Sequence, residues 1–524
     1  MNPPFLPLCR DVPLRGRDIS PSHSACGSIG GDPDGFRELC LGLYVIRCKS
    51  TRFCVILFPS HEGVDLIPIL RAYALPHPPL AVPAVGRGEE QKIQATLSAF
   101  DEVAREIAAL APETIVFVTP HNVTYADYFH ISPGKSAKGS FARFGAPETR
   151  FEVEYDAELA GEIAALAQQN GLPAGPLGEK DAKLDHGVMV PMWFINRRWR
   201  EYRAVRVSQS GMDAAAHYRL GQCIAQATAQ RRVVLIASGD LSHKLPGSSY
   251  GTVPEGAVFD QAIAEALAHG DFLSLFNIPE ELRERAAECG YNSYMVLAGC
   301  FDRCEVEAKL LSYECPFGVG YAVASFAPRE PNDSRDFLAQ YTQALLADAR
   351  EHRDSEDCYR ALARQSLEYT IRNGRKLPLP EDLPDELLNT QAGVFVSLHK
   401  HSRLRGCIGT IAPTAGSIAL EIIQNAVSAG LHDNRFEPVE TGELPLLTYK
   451  VDVLSPPEAI AGPEELDVRR YGVIVTRGHR RGLLLPNLEG IETVEEQVAI
   501  ARQKGGIPAV APVQLERFEV VRHE

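Results

Sequence analysis

The sequence predicts an α/β domain followed by an α+β domain, and three observations carry that prediction. Helix-period and strand-period segments alternate from about Ala84 to Ala327. A proline-, aspartate- and serine-rich stretch, APREPNDSRD, then breaks both patterns. Beyond it, several short strand-like runs are joined by tight turns such as RGHRRG, which suits antiparallel pairing. The division expected is an N-terminal extension over 1–63, a first domain over 64–328, a linker over 329–337 and a second domain over 338–524.

Five of the 12 cysteines (Cys9, Cys26, Cys40, Cys48, Cys54) fall in the first 54 residues, which show no helical or strand period. That segment is read either as a disordered tail or as sequence upstream of a native start near Val64. VDLIPILRAYAL reads as a strand, and ALPHPP closes it, because proline fixes φ and cannot donate to a central ladder. His77 is left at its mouth.

GRGEEQKIQATLSAFDEVAREIAAL has helical spacing, and ETIVFVTPH is a short β-branched strand stopped by proline. DAELAGEIAALAQQNG reads as a helix closed by glycine, YRAVRVSQS as a strand, DAAAHYRLGQCIAQATAQ as a helix and RRVVLIASGD as a buried strand. Two helices, VFDQAIAEALAHGD and PEELRERAAECGYNSYMVLAG, precede the strands EVEAKLLSYE and GYAVASFA. In open α/β sheets reactive groups gather beyond the carboxyl ends of strands, which is where His121 and Asp240 fall. Past the break, the helix SEDCYRALARQSLEYTIRNG leads into strands GVFVSLHK, RLRGCIGTI, PLLTYKVDVLS, GVIVTRG and RRGLLLP, with the helix SIALEIIQNAVSAG among them.

The net charge of −15, from 53 Lys and Arg against 68 Asp and Glu, disfavours broad contact with nucleic acid or anionic membranes. The basic runs NRRWREYR and HKHSRLR are too short to offset it, so an adaptor for nucleic acid is the weakest reading. No apolar run nears the roughly 18 residues of a spanning helix, and no secretory signal pattern opens the chain. The absence of CxxC pairs argues against a zinc ribbon or disulfide framework. A cytoplasmic protein handling small molecules is the expectation.

His77, His121, His186 and His243 each sit in a turn-like or strand-end context, and Glu288 follows. Two imidazoles and a carboxylate on one face make a non-heme Fe(II) site, and a further histidine suits proton transfer. Taken singly, each histidine also fits a capping or solvated role. Tyr125, Tyr128, Phe129 and Trp193 are candidate cavity walls, with core packing as the plainer job.

ALPHPP, VGRGEE, TPHNVTYADYFHIS, LDHGVMVP and ASGDLSHKL together resemble the class III extradiol ring-cleavage dioxygenase superfamily in its Memo-like branch, over about Leu66 to Ala327. The resemblance implies a mixed sheet flanked by helices. It makes His77, His121 and Glu288 the metal ligands, His186 the acid/base and His243 a further active-site histidine. Memo relatives also match at Asp240 and Cys289, with a histidine/cysteine cluster in the pocket. Whether Glu288 or Cys289 faces inward stays open. The implied chemistry is Fe(II)-dependent cleavage of a catechol-type substrate with O2. The alternatives are zinc or another divalent metal, or none, in a component that binds metal or substrate without redox chemistry.

In SRLRGCIGTI, Gly406 and Gly409 flank Cys407, and glycine within a strand marks close approach by a ligand or by another segment. Arg403 and Arg405 would make such a ligand anionic. Cys407 is a nucleophile if positive charge lowers its pKa, and otherwise a small thiol filling a crowded place. With AVSAGLHDNRFEPV, YKVDVLSPPEAI and GLLLPNL, this motif resembles the AMMECR family from about Asp333 onward. Fusion of the two modules resembles the AmmeMemoRadiSam system, which implies a radical SAM protein as partner.

Overall fold

The computed structural model describes residues 69–178, 183–400, 403–488 and 490–524, all within one compact unit, Asp65–Glu524. The expectation for residues 1–63 lies outside the described residues. In chain order the first domain runs β1 (Arg71–Leu75), α1 (Pro83–Gly86), α2 (Gln94–Leu110), β2 (Thr114–Thr119), β3 (Phe129–His130), β4 (Ser136–Phe141), β5 (Ala146–Glu154), α3 (Ala157–Gln169), β6 (Ala174–Gly175), α4 (His186–Ile195) and β7 (Arg203–Ser208). It continues through α5 (Ala214–Thr228), β8 (Val233–Ser238), α6 (Pro254–His269), α7 (Phe272–Phe276), α8 (Glu280–Ala286), α9 (Tyr291–Gly299), β9 (Cys304–Glu314) and β10 (Tyr321–Pro331).

Six strands form one mixed sheet in the order β7-β2-β8-β1-β10-β9. The first four are parallel and the last two antiparallel. TIVFVT and VVLIAS are buried along their whole length because helices cover both faces. Alternate residues feed two cores: Val116 and Val118 pack with Tyr218 and Ile224, while Ile115 and Phe117 share the opposite core with Phe100 and Phe194. Each such side chain contributes about 1.5–3 kcal/mol on burial. In the sheet β2, β8 and β1 are neighbours, so the loops leaving their carboxyl ends emerge side by side.

Three segments differ from the sequence reading. The helix expected over 86–110 starts only at Gln94, because Arg87 and Gly88 have φ of 51° and 105°. The single helix expected over 279–299 is two, α8 and α9, broken where Ala287 turns to φ 54°. APREPNDSRD is not an irregular link: β10 runs on to Pro331, and Asp336 caps the next helix. β1 stops pairing at Phe326, while β9 stays opposite both prolines, Val306 facing Pro328 and Cys304 facing Pro331, with a register shift between them.

The second domain contains α10 (Phe337–Asp354), α11 (Cys358–Asn373), α12 (Asp385–Asn389), β11 (Gly393–Lys400), β12 (Arg403–Gly409), α13 (Ile418–Leu431), β13 (Leu447–Leu454), β14 (Glu458–Ile460), β15 (Gly472–Arg477), β16 (Arg480–Leu484), α14 (Val494–Lys504), β17 (Gln514–Phe518) and β18 (Val520–His523). Two antiparallel sheets result, β12-β11-β13-β18 and β14-β17-β15-β16. The first packs against α11 and α13 around Leu362, Val396, Ile422 and Val451, and the second against α14. The class is α+β. Among the described residues no helix is long and apolar enough to cross a membrane.

Candidate metal centre

β1 ends at Leu75, and the prolines around His77 turn the chain so that its imidazole is buried at the sheet's carboxyl edge. The His77 backbone N–H donates to Asp240 Oδ1 at 2.8 Å, tying the loop after β1 to the loop after β8. Ser238 Oγ donates to the carbonyl of Gly187 at 2.5 Å, which uses its only proton. His77 Nδ1, 2.9 Å from that oxygen, is therefore the donor of their bond. This assigns the tautomer: Nε2 of His77 carries a lone pair and faces inward.

Facing it is His121, which follows β2. The two Nε2 atoms are 2.9 Å apart, and two lone pairs at that separation repel unless a proton or a cation stands between them. Cys289 Sγ lies 3.6 Å from His77 Nε2 and 3.9 Å from His243 Nε2. Donor atoms of His77, His121 and Cys289 all lie within 4.8 Å of one another. Cys289 reaches this position because α8 and α9 are separated by the turn at Ala287. Gly290 then meets Gly239, where an added Cβ would lie 2.0 Å from the Gly290 Cα. The Tyr294 hydroxyl locks the junction by donating to the Gly239 carbonyl at 2.6 Å.

Glu288 is not part of this group, which corrects its assignment as a ligand. Its Oε2 accepts the backbone N–H of Tyr291 at 2.7 Å, satisfying an orphan amide of the first turn of α9. Burial lifts its carboxyl to about 7. One position along the chain, the thiol takes the place expected of the carboxylate.

His186 is the first residue of α4, not a loop residue, and its ring stacks on His121 at 4.1 Å between centroids. The DHG motif has a use for each residue. Asp185 caps α4, takes a hydrogen bond from Thr119 Oγ1 at 2.7 Å and pairs with buried Arg206 at 3.4 Å. Gly187 leaves room for Thr119, which a Cβ would meet at 2.4 Å. One carboxylate thus fixes both the helix start that carries His186 and the strand end that delivers His121.

Asp240 Oδ2 sits 3.9 Å from the Nε2 atoms of both His77 and His243. Burial is the main cause that raises its carboxyl to about 7, against the opposing bond from the His77 amide. Burial also holds His77, His121, His186 and His243 below the ordinary imidazole range, with His186 near 3. The Cys289 thiol is pushed up for the same reason. The pocket therefore presents neutral nitrogens and a thiol, the groups a cation would polarise and deprotonate.

Tyr125 packs edge-on to Tyr128 and His130, each with ring centroids 6.1 Å away. Phe129 is core, set against His217, and Trp193 packs on Phe194 under the guanidinium of Arg197. The aromatic rings that do meet the site are Phe144, 5.5 Å from His186, and Tyr250, 5.8 Å from His243. Sequence reading missed both, since each lies in a turn without period.

In the second domain the strand glycines make room for protein. A Cβ on Gly406 would lie 2.1 Å from the Ala429 carbonyl oxygen, and one on Gly409 would lie 2.2 Å from the Phe395 ring. Arg405 is committed to Glu443 through Nε and Nη2 at 3.1 and 2.9 Å, and Arg403 pairs with Glu280 and Glu284 of α8. The anion-selective approach expected of these two arginines is therefore corrected, because carboxylates of the chain itself occupy them. Cys407 lies on the edge strand β12, with Ser397 Oγ of β11 donating to its sulfur at 3.2 Å and Asp433 accepting its amide at 2.9 Å.

Residues 71–324 match the family model described as the catalytic LigB subunit of aromatic ring-opening dioxygenase, and residues 360–523 match AMMECR1. A Clostridium acetobutylicum protein is 40% identical over 463 residues, covering 86% of this chain and 98% of its own. A Thermotoga maritima protein is 49% identical over 160 residues, covering 30% of this chain and 92% of its own. A crystal structure of an uncharacterised Pyrococcus horikoshii protein aligns at 33% identity, covering 31% of this chain and 88% of that one, with a TM-score of 0.30.

Proposed function

Because the chain belongs to the family that joins a LigB-type, dioxygenase-fold domain to an AMMECR1 domain, we propose that its first domain is a metal-dependent oxidoreductase acting on a small aromatic diol with O2. The observation that carries this reading is the convergence of His77, His121 and Cys289 within 4.8 Å. Their donor types fit a divalent ion, and the inward lone pair of His77 is already oriented by Ser238. When bound, iron supplies Lewis acidity toward the substrate oxygens and electrons for O2.

The chain's residues do the rest. His186, stacked on His121, takes the hydroxyl proton of the diol and returns it after ring opening. Asp240 fixes the loop of His77, and His243 closes the pocket on the side of Cys289. Phe144 and Tyr250 offer exposed ring faces where the substrate enters.

One feature favours a second reading. A thiol stands where Fe(II) dioxygenases use a carboxylate, and two imidazoles with a thiolate equally suit zinc. On that reading the domain binds metal or substrate without redox chemistry, within a modification system served by a radical SAM partner.

Protein purified without air and subjected to elemental analysis separates the two. Stoichiometric Fe(II), lost on His77→Ala together with oxygen uptake on catechols, supports the first. Metal without turnover supports the second, and no retained metal rejects the first.

A further inference from the structure

Cys289 belongs to neither α8 nor α9, and the residue after it is Gly290, whose missing Cβ leaves the next peptide plane free to turn. Where its sulfur points is set by the two peptide planes that flank it, because the backbone has only two soft dihedrals per residue. The plane before Cys289 is held by the loop after β8. Its N–H donates to the Asp240 carbonyl at 3.4 Å, and the Asp240 N–H donates in return to the sulfur at 3.3 Å.

The plane after Cys289 is held from the other side of the site. Gln209, the first residue past β7, donates Nε2 to the Cys289 carbonyl at 2.9 Å and to Ser293 Oγ of α9 at 2.8 Å. A carbonyl can only accept, so nitrogen is the amide atom that faces it. Gln209 is itself anchored beside a second ligand. Its backbone N–H donates to the Thr119 carbonyl at 3.2 Å, carrying the β2–β7 pairing one step past Ser208, and Thr119 Oγ1 accepts the His121 amide at 3.3 Å. One residue therefore joins the strand end that delivers His121 to the peptide that aims Cys289.

We propose that Gln209 is a positioning residue of the metal centre: acting through the Cys289 carbonyl rather than on the ion, it fixes the sulfur at the distance from His121 that a shared ion needs. This rests on the reading of His77, His121 and Cys289 as metal ligands. Groups that orient a ligand from outside carry about 10–100-fold in metal affinity, and Gln209 falls in that class. A residue that merely filled the space between β7 and α9 would make its bond to Ser293 matter as much as its bond to Cys289.

Anaerobic titration of the full chain with Co(II), read by the sulfur-to-cobalt charge-transfer band, tests this. The native chain is expected to show the band and Cys289→Ser to lack it. In Gln209→Met, which keeps the length of the side chain without its donor, the band is expected to fall by about half or more and the Co(II) affinity by about tenfold or more. Ser293→Ala, which removes the other acceptor of the same Nε2, is expected to keep both. Gln209→Asn draws the amide back by one methylene and should repeat the loss, and it decides the question should Gln209→Met fail to fold. A native chain that binds no Co(II), or binds it without the band, overturns the Cys289 centre and the role of Gln209 with it. A native band carried over unchanged in the Gln209 variants, or lost equally in Ser293→Ala, overturns the role of Gln209 alone.

Discussion

Gly239 and Gly290 touch backbone to backbone: a Cβ on Gly239 would lie 2.0 Å from the Gly290 Cα. That contact brings the loop after β8 against the break between α8 and α9, and so presents Cys289 to His77. Gly239→Ala must push the two loops apart. The expected result is loss of bound metal and a stability cost of about 1–3 kcal/mol, read by elemental analysis and chemical denaturation. Full metal content in this variant would contradict the packing argument.

Asp185 is the shared support of His186 and of the strand end before His121. Replacing it with alanine removes the cap of α4 and takes the Asp185 carboxylate from Arg206, a fully buried guanidinium. Breaking such a pair costs about 3–5 kcal/mol, so urea unfolding should shift strongly. A change below about 1 kcal/mol would show that Arg206 finds other compensation.

In the second domain, burial alone pushes the Glu443 carboxyl up, but bonds from Arg405, the Glu440 amide and Lys400 hold it down to about 2. A depressed carboxylate contributes stability above its unfolded pKa, near 4.5, and loses that contribution as pH falls toward 2. The pair is partly solvated, so the contribution is on the order of 1 kcal/mol. Melting curves of the native chain and of Glu443→Gln should differ by a constant amount above pH 5 and converge toward pH 2. A gap that persists at low pH contradicts the assignment.

Gly406→Ala would place a methyl 2.1 Å from a helix carbonyl that cannot yield, whereas Cys407→Ala removes only a half-buried sulfur. Thermal melting should show the glycine change to be the costlier, by about 1–3 kcal/mol. The reverse order would return Cys407 to the centre of the motif.

Much of the site was legible because it rests on local signals. Prolines after β1 and β2 mark strand ends, and β-branched runs mark the buried strands that His121 and Asp240 follow. What escaped depends on long-range contacts. PEELRERAAECGYNSYMVLAG keeps helical spacing throughout, and only the approach of Gly239 makes it break and turn Cys289 inward. α4 is apolar on nearly every side and contains Pro191, so no amphipathic period announces it. The β4–β5 hairpin, with polar residues on its outer face, gave too weak an alternation to be read, and Phe144 went with it.

The most direct test compares two neighbouring residues. Metal affinity of the full chain, measured without air for Cys289→Ser and for Glu288→Gln, should fall about tenfold or more in the first and stay near native in the second. Glu288→Gln keeps an oxygen for the Tyr291 amide, so it should also fold normally. Loss of metal on Glu288→Gln, with Cys289→Ser unaffected, would overturn the His77, His121 and Cys289 centre.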